Sequence, residues 1–140
     1  MKLTVSEVMT RGIETISPAS TLEHAAKQMK THNVGMLPVV DEKQVVGVVT
    51  DRDIVLRAVS ERLRPEMTRV RDVMTPKAIS CYEDQDIREV SLVMEKNLVH
   101  RLIVLDRDER LVGIVSLSDL AAKAKSEKLS GHVLGKVSAA

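Results

Sequence analysis

The chain contains one internal repeat. The segment Val8–Thr10 recurs as Val73–Thr75 at an offset of 65 residues, and the run Gly47–Ile54 matches Gly113–Leu120 at an offset of 66. The one inserted residue falls in a predicted turn, where a change of length costs least. Each copy is too short to bury a sizeable core alone, so we expect the two copies to fold together.

Each copy has the pattern of a β-α-β-β-α unit. A short apolar segment around Ile16 or Ile79 comes first, and apolar residues at helical spacing follow. Two runs rich in β-branched residues, Val34–Val40 and Val45–Thr50 in the first copy, then predict a hairpin. The helical apolar positions are Leu22, Ala25, Ala26 and Met29 in the first copy and Ile87, Val90 and Met94 in the second.

The ends of the helices in the first copy have sequence signals of their own. Ser20, with Glu23 three residues later, predicts a capping box at the start of the first helix. A second helix is expected to begin at about Asp51 and to end before Pro65. Its predicted apolar face consists of Ile54, Val55, Ala58 and Val59.

A small sheet with two helices on one face leaves its other apolar surface exposed unless a partner covers it. The twin copy is the expected partner. The predicted fold class is therefore α/β (α+β), with two β-α-β-β-α repeats packed about a pseudo-twofold axis and two related clefts beside it. The expected domains are 1–64 for the first repeat, 65–70 for a linker, 71–125 for the second repeat and 126–140 for a C-terminal helix end or tail.

Composition disfavours several classes of function. The 21 basic and 20 acidic residues give a net charge of +1, and Tyr82 is the sole aromatic residue, so neither nucleic-acid nor membrane binding is expected. Cys81 is the one cysteine, which excludes an intrachain disulfide and favours a reducing compartment. No signal-peptide pattern or membrane-spanning run is visible, so we expect a cytoplasmic protein.

Catalytic and metal-binding patterns are missing from the sequence. The histidines His24, His32 and His132 have no metal-ligand spacing with one another or with Cys81. No carboxylate pair is accompanied by a nucleophile. The sequence therefore predicts a protein that is not an enzyme and requires no cofactor.

The most informative motif lies where the last strand of each copy enters its second helix. It reads Thr50-x-x-Asp53 in the first copy and Ser116-x-x-Asp119 in the second, each three residues after a glycine. One interpretation is structural, because a hydroxyl at the N-cap and an acid three residues later stabilise a helix start. The other is functional, because the same groups can bind a phosphate and the two hydroxyls of a ribose.

With these motifs, the duplicated chain resembles a pair of CBS domains, named after cystathionine β-synthase, over residues from about 5 to 122. The resemblance implies a regulatory module that binds an adenosine-containing ligand such as AMP, ATP, NAD or S-adenosylmethionine. AMP or ATP is the expected ligand. It also implies roles for six residues: Thr50 and Ser116 contact ribose or phosphate, Asp53 and Asp119 hold the ribose, and the backbones of Ile16 and Ile79 contact the adenine.

The two copies differ at one position that bears on ligand binding. The run Val99–Leu102 contains His100 and Arg101, and it is similar to the His-Arg pair that holds phosphates in the gamma subunit of the AMP-activated kinase. The first copy has Gly35 and Met36 there, and Met36 is included among the predicted ligand-binding residues. A surface salt bridge is the alternative role for the pair. By analogy, we expect His100 and Arg101 to complete the site whose ribose end is Thr50 and Asp53.

Two functions follow as alternatives. The first is a ligand or energy sensor that takes an adenosine-containing small molecule and acts as a homodimer on an unidentified regulated protein. The second is an interaction scaffold in which dimerisation through the helices is the function and the clefts are empty or hold another ligand.

Overall fold

The computed structural model describes residues 3–129, and these form two compact units. The first unit comprises Glu14–Ala78, and the second contains the described residues outside that range. Each unit has a three-stranded sheet and its own hydrophobic core. The small sheet in each unit, combined with helices, confirms the predicted α+β class. The pseudo-twofold packing stays a prediction.

The first unit is built on an antiparallel hairpin. Its elements are α1 (Leu22–His32), β1 (Met36–Asp41), β2 (Gln44–Thr50), α2 (Asp51–Ile54) with a π-helical continuation (Val55–Val59), α3 (Val70–Val73) and β3 (Thr75–Pro76). Strand β3 pairs antiparallel with β2, and on the other side of the hairpin Ile16 forms a parallel bridge with Val39. The predicted first strand is thus reduced to one bridge.

The second unit repeats this plan. Its elements are a short 3₁₀ helix (Val5–Glu7), β4 (Ser80–Tyr82), α4 (Ile87–Asn97), β5 (Arg101–Leu105), β6 (Leu111–Ser116) and α5 (Leu117–Leu129). Strand β4 runs parallel to β5, and β6 pairs antiparallel with β5. Thr10 forms an antiparallel bridge with Ile114 on the free side of β6. Helix α5 enters the predicted segment 126–140, of which 130–140 lies outside the described residues.

Each repeat begins with a Val-Met-Thr segment that packs in the unit containing the hairpin of the other repeat. We call these segments, Val8–Thr10 and Val73–Thr75, the exchanged segments. Thr75, which ends the second Val-Met-Thr motif, pairs with Val48 in the hairpin of the first repeat. Thr10, which ends the first motif, pairs with Ile114 in the hairpin of the second repeat. The compact units therefore divide the chain at different points from the sequence repeats.

Residues just before the exchanged segments cap two helices. The amide of Leu22 in the first turn of α1 donates to the carbonyl of Thr68 at 2.9 Å, and the amide of Ile87 in the first turn of α4 donates to the carbonyl of Leu3 at 3.0 Å. The first turn of a helix lacks internal acceptors, so these carbonyls satisfy groups that would otherwise be unpaired. Within the predicted linker 65–70, Thr68 is 8% exposed and Val70 is fully buried, while the other residues are exposed.

The sequence predicted which helix positions are buried, except for one residue in α1 and two residues in the segment after α2. The predicted apolar positions of α4 are buried, and so are those of α1 apart from Ala26, which is exposed. Ala58 is buried after α2, but Val55 and Val59 are 54% and 60% exposed. Ile54 and Ala58 face the core of the first unit, so the buried face of this segment is narrower than the predicted one.

Helices α1 and α4 are each followed by a residue in the left-handed backbone conformation. Asn33 follows α1 with a φ of 53°, and Leu98 follows α4 at the equivalent position with a φ of 55°. Asparagine tolerates this conformation, whereas a leucine side chain does not favour it. At the other end of α1, the cap is Thr21 and not the predicted Ser20, whose carbonyl accepts the amide of Val70.

We predict that Leu98→Asn raises the free energy of unfolding by about 1 kcal/mol, because it relieves the left-handed leucine. Leu98 is 88% exposed, so little packing is lost. Urea denaturation followed by circular dichroism measures the change. The matched control is Asn33→Leu, which should lower the free energy of unfolding by a similar amount. A loss of stability in Leu98→Asn would contradict the prediction.

Candidate functional site

The two strand–helix junctions have the same local geometry. The Thr50 hydroxyl accepts the amide of Asp53 at 3.0 Å, and Asp53 Oδ2 accepts the amide of Thr50 at 3.0 Å. Ser116 and Asp119 form the same two bonds at 3.0 and 2.9 Å. The structural interpretation of the motif, a capping box, is therefore confirmed in both copies. The same bonds fix a hydroxyl and a carboxylate one helical turn apart.

The carboxylate of Asp53 has further partners in the first unit. The Thr75 hydroxyl donates to Oδ1 at 3.3 Å and lies 3.4 Å from Oδ2. Arg57 Nη1 lies 3.8 Å from Oδ1 and donates to the carbonyls of Val73 and Met74 at 3.0 and 3.1 Å. Asp53 is only 8% exposed, so both of its oxygens are occupied and largely covered.

The carboxylate of Asp119 has the same capping role in the second unit. Its Oδ2 accepts the amide of Ser116 at 2.9 Å. The residue is half-buried, whereas Asp53 is buried.

An open cleft of about 510 Å³ lies at the second junction. Its lining consists of His100, Arg101, Ser116, Leu117, Ser118 and Ala121. Sheet pairing creates this group, because Arg101 is the cross-strand partner of Ser116 and the Leu117 amide donates to the His100 carbonyl at 2.8 Å. No described side chain forms a salt bridge with Arg101, so the surface ion pair considered as its alternative role is not formed in this part of the chain.

The first copy has different chemistry at the equivalent positions. Gly35 and Met36 replace His100 and Arg101, and Met36 is the half-buried cross-strand partner of Thr50. Asp51 stands where the second copy has Leu117, and a Cβ on Gly35 would lie 2.8 Å from Asp51 Oδ2. This strand end therefore carries an acid where the second carries two basic side chains.

The two isoleucines predicted at the adenine position lie in different environments. Ile16 is 5% exposed, its amide donates to the Pro38 carbonyl at 3.0 Å and its carbonyl accepts the amide of Val40 at 2.9 Å. Its hydrogen-bonding backbone groups are thus used by β1. Ile79 precedes β4 and is 38% exposed, so its side chain is accessible.

The glycine before each junction is explained by close backbone packing. A Cβ on Gly47 would lie 2.5 Å from the Thr75 carbonyl oxygen, and one on Gly113 would lie 2.8 Å from the Thr10 carbonyl oxygen. Real Cβ atoms do not approach a carbonyl oxygen so closely. The sequence pattern left open whether a ligand or a backbone required the glycine, and in each unit the exchanged segment occupies the space.

We predict that Gly47→Ala and Gly113→Ala each lower the free energy of unfolding by about 1–3 kcal/mol, because the added methyl group displaces a backbone segment. Gly47→Ala should cost more, since its neighbour is closer. Thermal or urea unfolding measures both. Gln44→Ala, at an exposed position of β2, is the control and should change stability by less than about 0.5 kcal/mol. Wild-type stability in both glycine variants would refute the packing argument.

The CBS domain family model matches residues 5–60 and 70–126 of the chain. The chain belongs to the CBS domain family. The two matches confirm a tandem pair of CBS domains, as the repeat and its motifs indicated.

Known CBS proteins resemble the chain along nearly its whole length. The CBS domain-containing protein YhcV of Bacillus subtilis is 37% identical over 134 residues, which are 96% of this chain and 94% of YhcV. The CBS domain pair of protein MJ0100, solved with 5′-methylthioadenosine and S-adenosyl-L-methionine, is 26% identical with a TM-score of 0.80 and covers 91% of this chain and 99% of its own. CBSX2, solved with AMP, is 25% identical with a TM-score of 0.77 and covers 89% and 98%.

Outside the two junctions, the described residues show no metal-binding cluster and no reactive cysteine. Among the described residues, no group of three or more His, Cys, Asp or Glu could hold a metal ion. Burial raises the pKa of the Cys81 thiol to about 12, so the thiolate that reactive cysteines require is not formed near neutral pH. Across residues 3–129, every helix is too short or too polar to cross a bilayer.

Sequence reasoning missed two residues at the first CBS junction. Thr75 was recognised only as the end of a repeated motif, and Arg57 was not singled out. The position of Arg57, four residues after Asp53, was a visible signal because residues at that spacing are neighbours on a helix. No local pattern could show that Thr75 returns to the hairpin of the first repeat.

Proposed function

We propose that this CBS pair is a regulatory module that binds an adenosine-containing ligand, with AMP or ATP as the expected ligand. The observation that carries the proposal is the open cleft in which His100 and Arg101 stand beside the Ser116 end of α5. The complexes of MJ0100 with 5′-methylthioadenosine and S-adenosyl-L-methionine, and of CBSX2 with AMP, support the ligand class.

Each group at this junction has a chemical role in the proposal. Oδ1 of Asp119 accepts hydrogen bonds from the ribose hydroxyls, and Ser116 bonds a ribose or phosphate oxygen. The Arg101 guanidinium offers a planar fork of donors to a phosphate, and His100 adds a further donor. The accessible Ile79 is proposed to face the adenine.

The regulatory part of the proposal concerns affinity differences. A ligand changes a protein's state only if it binds one conformation better than another. The exposed basic pair gives the phosphate part of the affinity a dependence on salt, because solvent-exposed charges are screened. We propose that nucleotide occupancy alters the contacts that the module makes with a regulated protein.

We predict that Arg101→Ala weakens the binding of AMP or ATP about tenfold or more and changes adenosine binding less than about twofold. A charge-assisted hydrogen bond contributes about 1.5–3 kcal/mol, and about 1.4 kcal/mol corresponds to a factor of ten. Isothermal titration calorimetry measures the three ligands.

The control is Arg11→Ala, which removes the same charge at an exposed position of the same unit. It should leave all three affinities unchanged. Equal losses for AMP, ATP and adenosine in Arg101→Ala would reject the phosphate role of Arg101.

The interaction function has an observation of its own. Four apolar side chains in the first unit are strongly exposed: Val55 at 54%, Leu56 at 49%, Val59 at 60% and Met67 at 71%. Val55, Leu56 and Val59 lie on one π-helical segment, and exposed apolar surface of this kind is typical of protein interaction sites. We propose that this surface mediates a homodimer, which is compatible with ligand binding elsewhere on the chain.

If so, Val59→Glu should convert the dimer to a monomer, because the interface would have to bury an unpaired charge. Light scattering coupled to size-exclusion chromatography gives the mass. Leu92→Glu, at a position that is 64% exposed on α4, is the control and should leave the mass unchanged. A wild-type monomer at all practical concentrations would dismiss the homodimer.

A further inference from the structure

The two units use the same hydrogen bonds to hold the chain that precedes each exchanged segment. Two successive amides of that chain donate to carbonyls of the loop before the long helix, at 2.8 and 3.0 Å in the first unit and at 3.0 and 2.9 Å in the second. Residues at the 65-residue offset therefore occupy equivalent places in their own units, so their side chains can be compared. The bonded pairs are Val70 with Ser20 and Arg71 with Pro18 in the first unit, and Val5 with Gln85 and Ser6 with Glu83 in the second.

In the first unit, an arginine lies against this loop. Arg69 Nη1 donates to the carbonyl of Ala19 at 2.9 Å, although the two residues are 50 positions apart in sequence. The backbone of Arg69 is fixed as well, because its amide donates to Asp72 Oδ2 at 3.1 Å. A guanidinium that belongs to the chain itself thus covers this part of the first unit.

In the second unit, the equivalent place is a cleft. Thr4 stands at the sequence position of Arg69, and Ser6 stands at that of Arg71. With these shorter side chains, the space has a volume of about 290 Å³. It leaves room for a group from outside the chain. The lining consists of Thr4, Ser6, Tyr82, Glu83, Asp84 and Arg107.

The charges of the cleft favour a cation. Asp84 and Arg107 form a two-pronged ion pair at 2.9 and 3.0 Å, so their charges neutralise each other. The half-buried carboxylate of Glu83 forms no hydrogen bond or ion pair within residues 3–129. A carboxylate that is partly removed from water and has no counter-ion attracts a cation, and it repels an anion such as phosphate.

The other lining groups supply a hydrogen-bond acceptor and a flat wall. The Thr4 hydroxyl donates to Glu7 Oε2 at 3.3 Å and lies 2.8 Å from the Ser6 hydroxyl. With Thr4 donating to Glu7, Ser6 donates to Thr4 and keeps its own oxygen as an acceptor. Arg107 Cζ lies 4.1 Å from the centre of the Tyr82 ring, so this wall already stacks a planar guanidinium.

We infer that the cleft lined by Thr4, Ser6 and Glu83 binds a guanidinium group from outside the chain, in the place where the first unit carries Arg69. The Glu83 carboxylate accepts the charged N–H donors of that group, and the Ser6 hydroxyl accepts another. Two sources supply such a group: a small guanidinium compound, or an arginine side chain of another protein. The inference does not depend on nucleotide binding, because the cleft contains no residue of the strand–helix junctions.

The test titrates the full isotope-labelled chain with agmatine and with the peptide acetyl-Gly-Arg-Gly-amide, and follows the amide chemical shifts. We expect saturable shifts at Thr4, Ser6 and Glu83 with at least one probe. Tighter binding of agmatine identifies a small compound as the source, and tighter binding of the peptide identifies a protein arginine. Saturable shifts with neither probe would overturn the site. So would an equal response to the two probes and to the peptide with neutral citrulline in place of arginine.

A matched pair of variants tests the role of the carboxylate. Glu83→Gln keeps the shape and removes the charge, so it should weaken binding of the responding probe about tenfold or more. The control is Glu95→Gln, which removes an exposed carboxylate from α4 of the same unit. It should change the affinity less than about twofold, because solvent screens a distant exposed charge. Equal losses in the two variants would reject the site.

Thr4→Arg tests the comparison between the units. It gives the second unit the residue that the first unit has, so its guanidinium should occupy the cleft and abolish binding of the probe. Thr4→Val, which keeps the size of the side chain, is the control and should still bind. Wild-type affinity in Thr4→Arg would overturn the inference. If Thr4→Arg does not fold, the titration of Glu83→Gln decides, since the Glu83 carboxylate makes no described bond that folding would need.

Discussion

Hydrogen bonds between each repeat's hairpin and the other repeat's leading segment are the constraint on which the structure depends. They give β2 its partner β3 and give β6 its bridge to Thr10. The residues before these segments cap α1 and α4 through the carbonyls of Thr68 and Leu3. Gly47 and Gly113 are needed because the segments lie so close. Without the exchange, each sheet would expose an edge and each helix would begin with unpaired amides.

The two copies share the backbone geometry of their junctions but differ in the side chains around them. Both copies keep the capping box and the hairpin register, so the local frame of the two junctions is the same. Side chains outside the capping box differ: Arg57 and Thr75 contact the carboxylate of Asp53, whereas His100, Arg101 and Ser116 line an open cleft at the second junction. The repeated motif therefore fixes the backbone geometry, and the side chains around it give the two junctions different chemistry.

Much of this could be predicted from the sequence because it is local. The hairpins follow from runs of β-branched residues, the buried faces of α1 and α4 follow from helical spacing, and the capping boxes follow from a hydroxyl three residues before an acid. The exchange of Thr10 and Thr75 could not be predicted, since pairing between distant residues leaves no periodic signal. The exposure of Val55 and Val59 was not predicted, because only the adjacent pair Ile54 and Ala58 packs against the core and an apolar pattern does not show how wide the buried face is. The basic pair His100 and Arg101 was recognised in the sequence, whereas the place of Arg101 opposite Ser116 comes from strand register. The expectation that the pair completes the site of Thr50 and Asp53 stays a prediction.

The exchange gives the two units different histories during synthesis. The first unit is one continuous stretch, Glu14–Ala78, so all of its strands and helices are synthesised before the part of the second unit that begins at Ile79. The second unit is discontinuous, and Thr10 must wait for its distant partner Ile114 to be synthesised. Contacts between residues so far apart in sequence form slowly, whereas the nearer pairing of Thr75 with Val48 can form early. The first unit therefore contains all that it needs to fold first, whereas the segment around Thr10 has no strand to pair with until Ile114 has been synthesised.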